Sequence, residues 1–146
     1  MQSIKSRANK PGSGSKSKDG ITFIWADEST RRSLNARKSK KKGNNFELEL
    51  VHKLKELGYT DCSTSRNSSR ALDAAKIDIA SEMLPCYIQA KYTQNMPNYF
   101  TIRDDCPLKD KYFCMAWKKS GKDGSPSPGT VFIVPDIFFY QLIAKK

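Results

Sequence analysis

No apolar run in the sequence approaches the ~20 residues that cross a bilayer; IFFY at 137–140 and VFIV at 131–134 are four residues each. The first residues, MQSIKSRANKPGSGSKSK, hold no apolar leader core, so the expectation is a cytoplasmic protein with no membrane partner. Histidine occurs once, at His52, and Cys62, Cys86, Cys106 and Cys114 have neither CxxC nor CxH spacing. That pattern argues against a compact zinc motif and for reduced, partly buried thiols. GSG at 12–14 and GKDG at 121–124 lack the strand and helix context of a phosphate loop. What remains is a chain of 146 residues, enough for one domain with one real core.

Acidic residues are scarce at the N-terminal end. Residues 1–43 carry 12 Lys/Arg against 3 Asp/Glu, whereas residues 44–146 carry 14 against 12. A near-neutral domain with a strongly basic arm points to a polyanionic partner, most economically a nucleic acid. A merely solubilising basic tail has the same composition. The expected organisation is a basic, largely disordered arm over 1–42, ending in RKSKKK, and a folded domain over 43–146. Within the arm, ITFIW at 21–25 is an isolated apolar patch suited to a short strand or a docking segment.

Asn44 to Leu57 reads as an amphipathic helix, capped by Asn44 or Asn45 and followed by Gly58. Residues 59–75 are polar and rich in Ser and Arg, with too little apolar sequence for a regular buried element. KIDIAS at 76–81 and CYIQAKY at 86–92 form a hairpin, and YFCMAW at 112–117 and VFIV are further strands. Pro135 opens a last helix from Asp136. The fold class expected is α/β, or mixed α+β: a central mixed sheet flanked by helices.

On a helical wheel Glu47 falls inside the stripe of Leu50, Val51, Leu54 and Leu57, while Glu49, His52, Lys53 and Glu56 face the other way. A carboxylate there must be paired, hydrogen-bonded or bound to a cation, unless it snorkels out from the first turn toward water. In the hairpin, Tyr87, Gln89 and Lys91 share one face, and Asp78 is expected to project opposite Ile77 and Ile79. Adjacent strands then aim Asp78, Gln89 and Lys91 at a common point. An edge hairpin with a solvated polar face is the plainer alternative.

KGNNFE at 42–47, IDIA at 77–80 and IQAK at 88–91, in that order, resemble the PD-(D/E)XK nuclease superfamily. The nearest likeness is to Holliday junction resolvases of the archaeal and phage kind, over about residues 42–92. The resemblance implies a restriction-endonuclease-like core and a metal-dependent endonuclease cutting branched DNA such as a four-way junction. It implies Mg²⁺, with Mn²⁺ as a substitute, a homodimer, and a prokaryotic or phage-encoded protein. Asp78 matches the metal-binding aspartate, Lys91 the motif lysine and Glu47 the acid of the first helix. Gln89 stands where most members have Glu or Asp. The Gln89 side-chain oxygen and the Ala90 carbonyl complete the implied ligand set. Ser65, Arg66, Ser69 and Arg70 fall where resolvases carry a polar loop near the scissile phosphate, and Lys38, Lys40, Lys41 and Lys42 extend the expected DNA contact. The alternatives are a restriction-type, flap or nicking nuclease on the same core, or a non-catalytic nucleic-acid-binding protein in which Gln89 marks a decayed site.

Overall fold

A computed structural model describes residues 27–144, so the expectations for residues 1–20 and for ITFIW lie outside the described residues. The chain divides into two compact units, Met1–Arg37 and Lys38–Lys146. In the first, the described residues open the helix α1 (Glu28–Glu56). Asp27 caps it, its Oδ1 accepting from the Thr30 N–H at 2.7 Å and the Ser29 hydroxyl at 2.9 Å.

The helix therefore starts well before the expected cap at Asn44 or Asn45. No proline interrupts residues 28–42, and Gly43 alone, with a penalty of about 1 kcal/mol, does not stop a helix supported on both sides. Residues 28–42 are nonetheless exposed throughout, and burial begins at Phe46, Glu47, Leu50 and Val51. The C-terminal end is as expected. Gly58 lies at φ +99°, the Tyr59 N–H donates to the Leu54 carbonyl at 3.0 Å, and the Gly58 N–H donates to the Lys55 carbonyl at 3.0 Å. Those two bonds make a Schellman cap, which needs a residue free of a Cβ at that left-handed position. Leu57, assigned to the apolar stripe from sequence, falls in this cap and is 74% exposed.

In the second unit, β1 (Ser63–Thr64), β2 (Ile79–Ala80), β3 (Cys86–Thr93), β4 (Tyr112–Lys119) and β5 (Gly129–Ile133) form one sheet in chain order. The β3–β4 pair is parallel and the other pairs are antiparallel, so the sheet is mixed. Two short helices, α2 (Ser65–Ser68) and α3 (Arg70–Ala74), stand within residues 59–75, where no regular buried element is expected, and a third, α4 (Tyr99–Asp105), follows β3. Their lengths of 4, 5 and 7 residues carry too few turns for a readable amphipathic period. Side-chain caps mark two of them, Ser69 accepting from the Leu72 N–H and Asn98 from the Thr101 N–H, each at 3.3 Å. The last helix, α5 (Asp136–Ala144), starts where Pro135 predicts.

Helices cover both faces of the sheet. Phe46, Leu50 and Val51 of α1 and Phe138 of α5 pack with Ile79, Cys86, Ile88, Ala90, Cys114 and Ala116. Ala75, Ile77, Cys106 and Phe113 form a second cluster, joined by Leu72, Tyr87, Tyr99 and Ile102 from α3, β3 and α4. The alternation along β3 thus holds, with Cys86, Ile88 and Ala90 in one cluster and Tyr87 in the other. The alternation expected along KIDIAS does not. Ile77 and Ile79 belong to different clusters: the strand β2 spans only Ile79–Ala80, so the two-residue alternation does not extend back to Ile77. All four cysteines are buried free thiols. No helix among the described residues is long and apolar enough to cross a membrane.

Candidate functional site

Asp78 is fixed at three of its atoms. Its N–H donates to the Ile88 carbonyl at 3.0 Å, its carbonyl accepts from the Ser65 N–H at 2.9 Å, and its Oδ2 accepts from the Ala90 N–H at 2.8 Å. The side chain thus bonds across to β3 at the residue between Gln89 and Lys91, near the Ile79–Ile88 pair. Propensity disfavours Asp in a strand, and Asp78 stands just before β2, where its carboxylate takes up a β3 N–H.

Glu47 enters from α1. It is only 6% exposed and accepts a hydrogen bond from the Arg66 guanidinium, whose other nitrogen donates to Asn44 Oδ1. Asn44 and Glu47 are three residues apart, on neighbouring positions of one helix face, so a single planar fork on α2 reaches both. Burial pushes the Glu47 carboxyl above the ordinary carboxylate range and the Asp78 charge adds to that rise, while Arg66 opposes it. Burial likewise raises Asp78, against the Ala90 N–H, Lys91 and Arg66; the Asp73 carboxylate on α3 raises both acids further. Glu47, Asp78, Arg66, Lys91 and Asp73 therefore form one electrostatic group, although they come from four separate elements and the approach to β2.

Gln89 is 3% exposed, and its Oε1 is the one buried side-chain oxygen or nitrogen among the described residues without a hydrogen-bond partner. An unpaired buried amide oxygen costs about 1–3 kcal/mol, so this one asks for a donor or a cation. The donor set of two carboxylates, an amide oxygen and the Ala90 carbonyl is all oxygen, which suits a hard ion such as Mg²⁺. Two acids raised by burial and mutual repulsion fit the same group. Among the described residues no three Asp, Glu, His or Cys side chains cluster as a ready-made cage. Any ion would have to draw on the amide and backbone oxygens.

The remaining sequence candidates spread out. Ser65 is 1% exposed, which corrects its expected place on a DNA-facing loop: it is an interior support, its N–H on Asp78 and its carbonyl accepting from the Ser69 N–H at 2.7 Å. Ser69 is half-buried as the cap of α3, and Arg70 is exposed on the first turn of that helix. Lys38, Lys40, Lys41 and Lys42 are exposed along α1, with the Lys42 ammonium 5.8 Å from the Tyr92 ring centroid. Glu49 departs from its expected solvent face: it is half-buried between Lys53, at 3.1 Å, and Lys118, at 2.5 Å. Those partners hold its carboxyl below the ordinary range, Lys118 most strongly. Asn44, read from sequence as a cap, is instead the second anchor of Arg66. Comparison with protein-family models, curated proteins and solved structures finds no match to this chain.

Proposed function

We propose that this chain is a metal-dependent endonuclease hydrolysing phosphodiester bonds in DNA, with a restriction-endonuclease-like core and branched DNA such as a four-way junction as substrate. The observation that carries the proposal is that Asp78, bonded across to the Ala90 N–H, stands opposite Gln89, whose buried side-chain oxygen has no partner, while its charge acts on the buried Glu47; Lys91 is on the same strand as Gln89. Ordinary surface acids do not set a buried carboxylate and a half-buried one within reach of each other's charge, with an unsatisfied amide on the adjoining strand.

Asp78, Glu47, the Gln89 amide oxygen and the Ala90 carbonyl would hold Mg²⁺ or Mn²⁺. When bound, the ion supplies Lewis acidity, lowering the pKa of a coordinated water and polarising the phosphate. The chain does the rest. The bond from the Ala90 N–H holds the Asp78 carboxylate in one orientation. The Lys91 ammonium orients the attacking water and balances charge growing on the phosphate oxygens. Arg66 and Arg70 offer guanidinium forks to phosphate oxygens, and Lys38, Lys40, Lys41 and Lys42 hold the backbone of the duplex by charge.

The assembly proposed is a homodimer, which would set two sites on two strands of one junction. Phe132, Ile137, Phe139, Tyr140 and Leu142 are each at least half exposed on β5 and α5, an apolar surface of the kind that protein interfaces bury. The cell compartment proposed is the cytoplasm.

One observation favours a second reading. Arg66 already satisfies Glu47, and Gln89 brings no charge, as in a nucleic-acid-binding protein with a decayed site. A cleavage assay with Mg²⁺ on four-way junction, linear duplex and single-stranded DNA separates the readings. Preferential cutting of the junction supports the proposal. Equal cutting of duplex moves it to a restriction-type or nicking enzyme, and binding without cutting of any substrate overturns it.

A further inference from the structure

Glu47 is paired with a single guanidinium. Arg66 donates to Glu47 Oε1 and Asn44 Oδ1, and its charge also reaches Asp78. Its side chain is 37% exposed and stands beside a cavity of about 130 Å³ bordered by Asn44, Glu47, Thr64 and Asn67. Arg66 is the most exposed of the three and is held in place by its side-chain bonds alone. By contrast, Glu47 itself is buried on a long helix and Asp78 is pinned at three atoms. The least restrained member of the trio is the arginine.

Metal ligation and this ion pair compete for the one charge of Glu47. A divalent ion bound to that carboxylate would stand within a few ångströms of the guanidinium, and in a partly buried site the repulsion between the two cations is weakly screened. We propose that Arg66 is an exchangeable counter-ion: it holds Glu47 until a divalent cation displaces it, and the displaced guanidinium then turns along the cavity to meet a DNA phosphate. The inference rests on the metal-nuclease reading and gives Arg66 a role which that reading alone does not require. A fixed phosphate clamp would stay indifferent to metal. An exchangeable counter-ion competes with it, and so lowers the affinity for metal in the absence of DNA.

The test is direct binding of Mn²⁺ alone to the full chain, read from the spin-resonance signal of the free ion, with no DNA and no turnover. Arg66→Met should tighten Mn²⁺ binding about tenfold, equivalent to about 1.4 kcal/mol. Arg66→Lys keeps the charge but loses the fork, and should fall between the two. Adding Glu47→Gln to Arg66→Met should cancel the gain, because the arginine acts through that carboxylate. Asn44→Ala removes one anchor of the fork without changing any charge and should tighten binding about twofold to threefold. Thermal unfolding checks that each variant is folded, and Asn44→Ala decides the matter if Arg66→Met is not. Wild type binding Mn²⁺ with Arg66→Met or Asn44→Ala no tighter would overturn the exchange and leave the nuclease reading intact. If neither wild type nor any Arg66 variant binds Mn²⁺, both fall.

Discussion

The Asp78 carboxylate accepts the Ala90 N–H at 2.8 Å, which ties the acid before β2 to the residue between Gln89 and Lys91 on β3. Ala90 sits in the interior of a strand paired in parallel with β4, from Cys86 opposite Tyr112 to Thr93 opposite Lys119. The acid is thus referenced to the most continuous pairing in the sheet, not to a loop. A bond of that kind fixes direction as well as distance, and direction is what a ligand to a hard cation must have.

Charge on Asp78 is costly in this setting, since burial foremost, with Asp73, outweighs the Ala90 N–H, Lys91 and Arg66, which favour it. Asp78→Asn keeps an oxygen to accept the Ala90 N–H and removes the charge. It should abolish cleavage and raise stability, measured without added metal, by about 1 kcal/mol, the usual trade at a strained functional position. Denaturant unfolding gives the second number; a loss of stability would make Asp78 a structural residue.

Glu47 and Glu49 are two residues apart on α1 and differ in surroundings. Glu47→Gln should lower the cleavage rate at least about 10–100-fold, the loss common even for outer partners of a metal ligand. Glu49→Gln, which breaks pairs with Lys53 and Lys118 on the helix flank, should leave the rate within about twofold and cost stability of up to about 1 kcal/mol. Equal effects on the rate would detach Glu47 from the chemistry.

Replacing Lys38, Lys40 and Lys41 together by Gln should reduce the slope of log affinity against log salt by up to about 0.9 for each phosphate that the protein no longer neutralises. These side chains are exposed on α1, so folding should be unaffected. Cleavage at saturating DNA should persist. An unchanged salt slope would show that this part of the helix does not meet the backbone.

Asp61 organises the turn between β2 and β3. Its carboxylate accepts from the Ser81 hydroxyl at 2.7 Å and from the Glu82 and Met83 N–H groups at 2.6 and 3.2 Å, and these bonds, that of Ser81 foremost, hold its carboxyl below the usual range. A carboxylate so depressed binds its proton less readily when folded. Its contribution is therefore complete above the unfolded value of ~3.9 and is lost as pH falls through the folded one. Asp61→Asn should be less stable than wild type at pH 7, with the gap closing as pH drops below about 4. A gap constant with pH would assign the effect to packing.

Much of the site is legible in the sequence. The inward position of Glu47 follows from the wheel, the left-handed end of α1 from Gly58, and the alternation of β3 from its apolar residues, because each rests on a period or a φ requirement that local sequence encodes. The start of α1 is not legible in the same way, since Asp27 is a capping residue far from any apolar periodicity and the helix before Phe46 has no buried face. The path of Ile77 is hidden as well: it joins the other cluster because the strand begins only at Ile79, a boundary that no side-chain pattern announces. The Arg66 pair with Glu47 spans 19 residues and joins two helices, one too short to be seen in sequence. Ser69 ahead of Leu72 is the available sign of α3.

Glu47, Asp78 and Gln89 are proposed to hold together the ion at which DNA is cut. Cleavage of a labelled four-way junction across a Mg²⁺ titration, by wild type and by Gln89→Glu, tests it most directly. An amide ligates through oxygen without charge, so wild type should cut and Gln89→Glu should cut with its midpoint shifted to lower Mg²⁺, while Gln89→Ala should need more metal or fail. No cutting by wild type or by Gln89→Glu at any Mg²⁺ or Mn²⁺ concentration would contradict it, as would a midpoint indifferent to all three side chains.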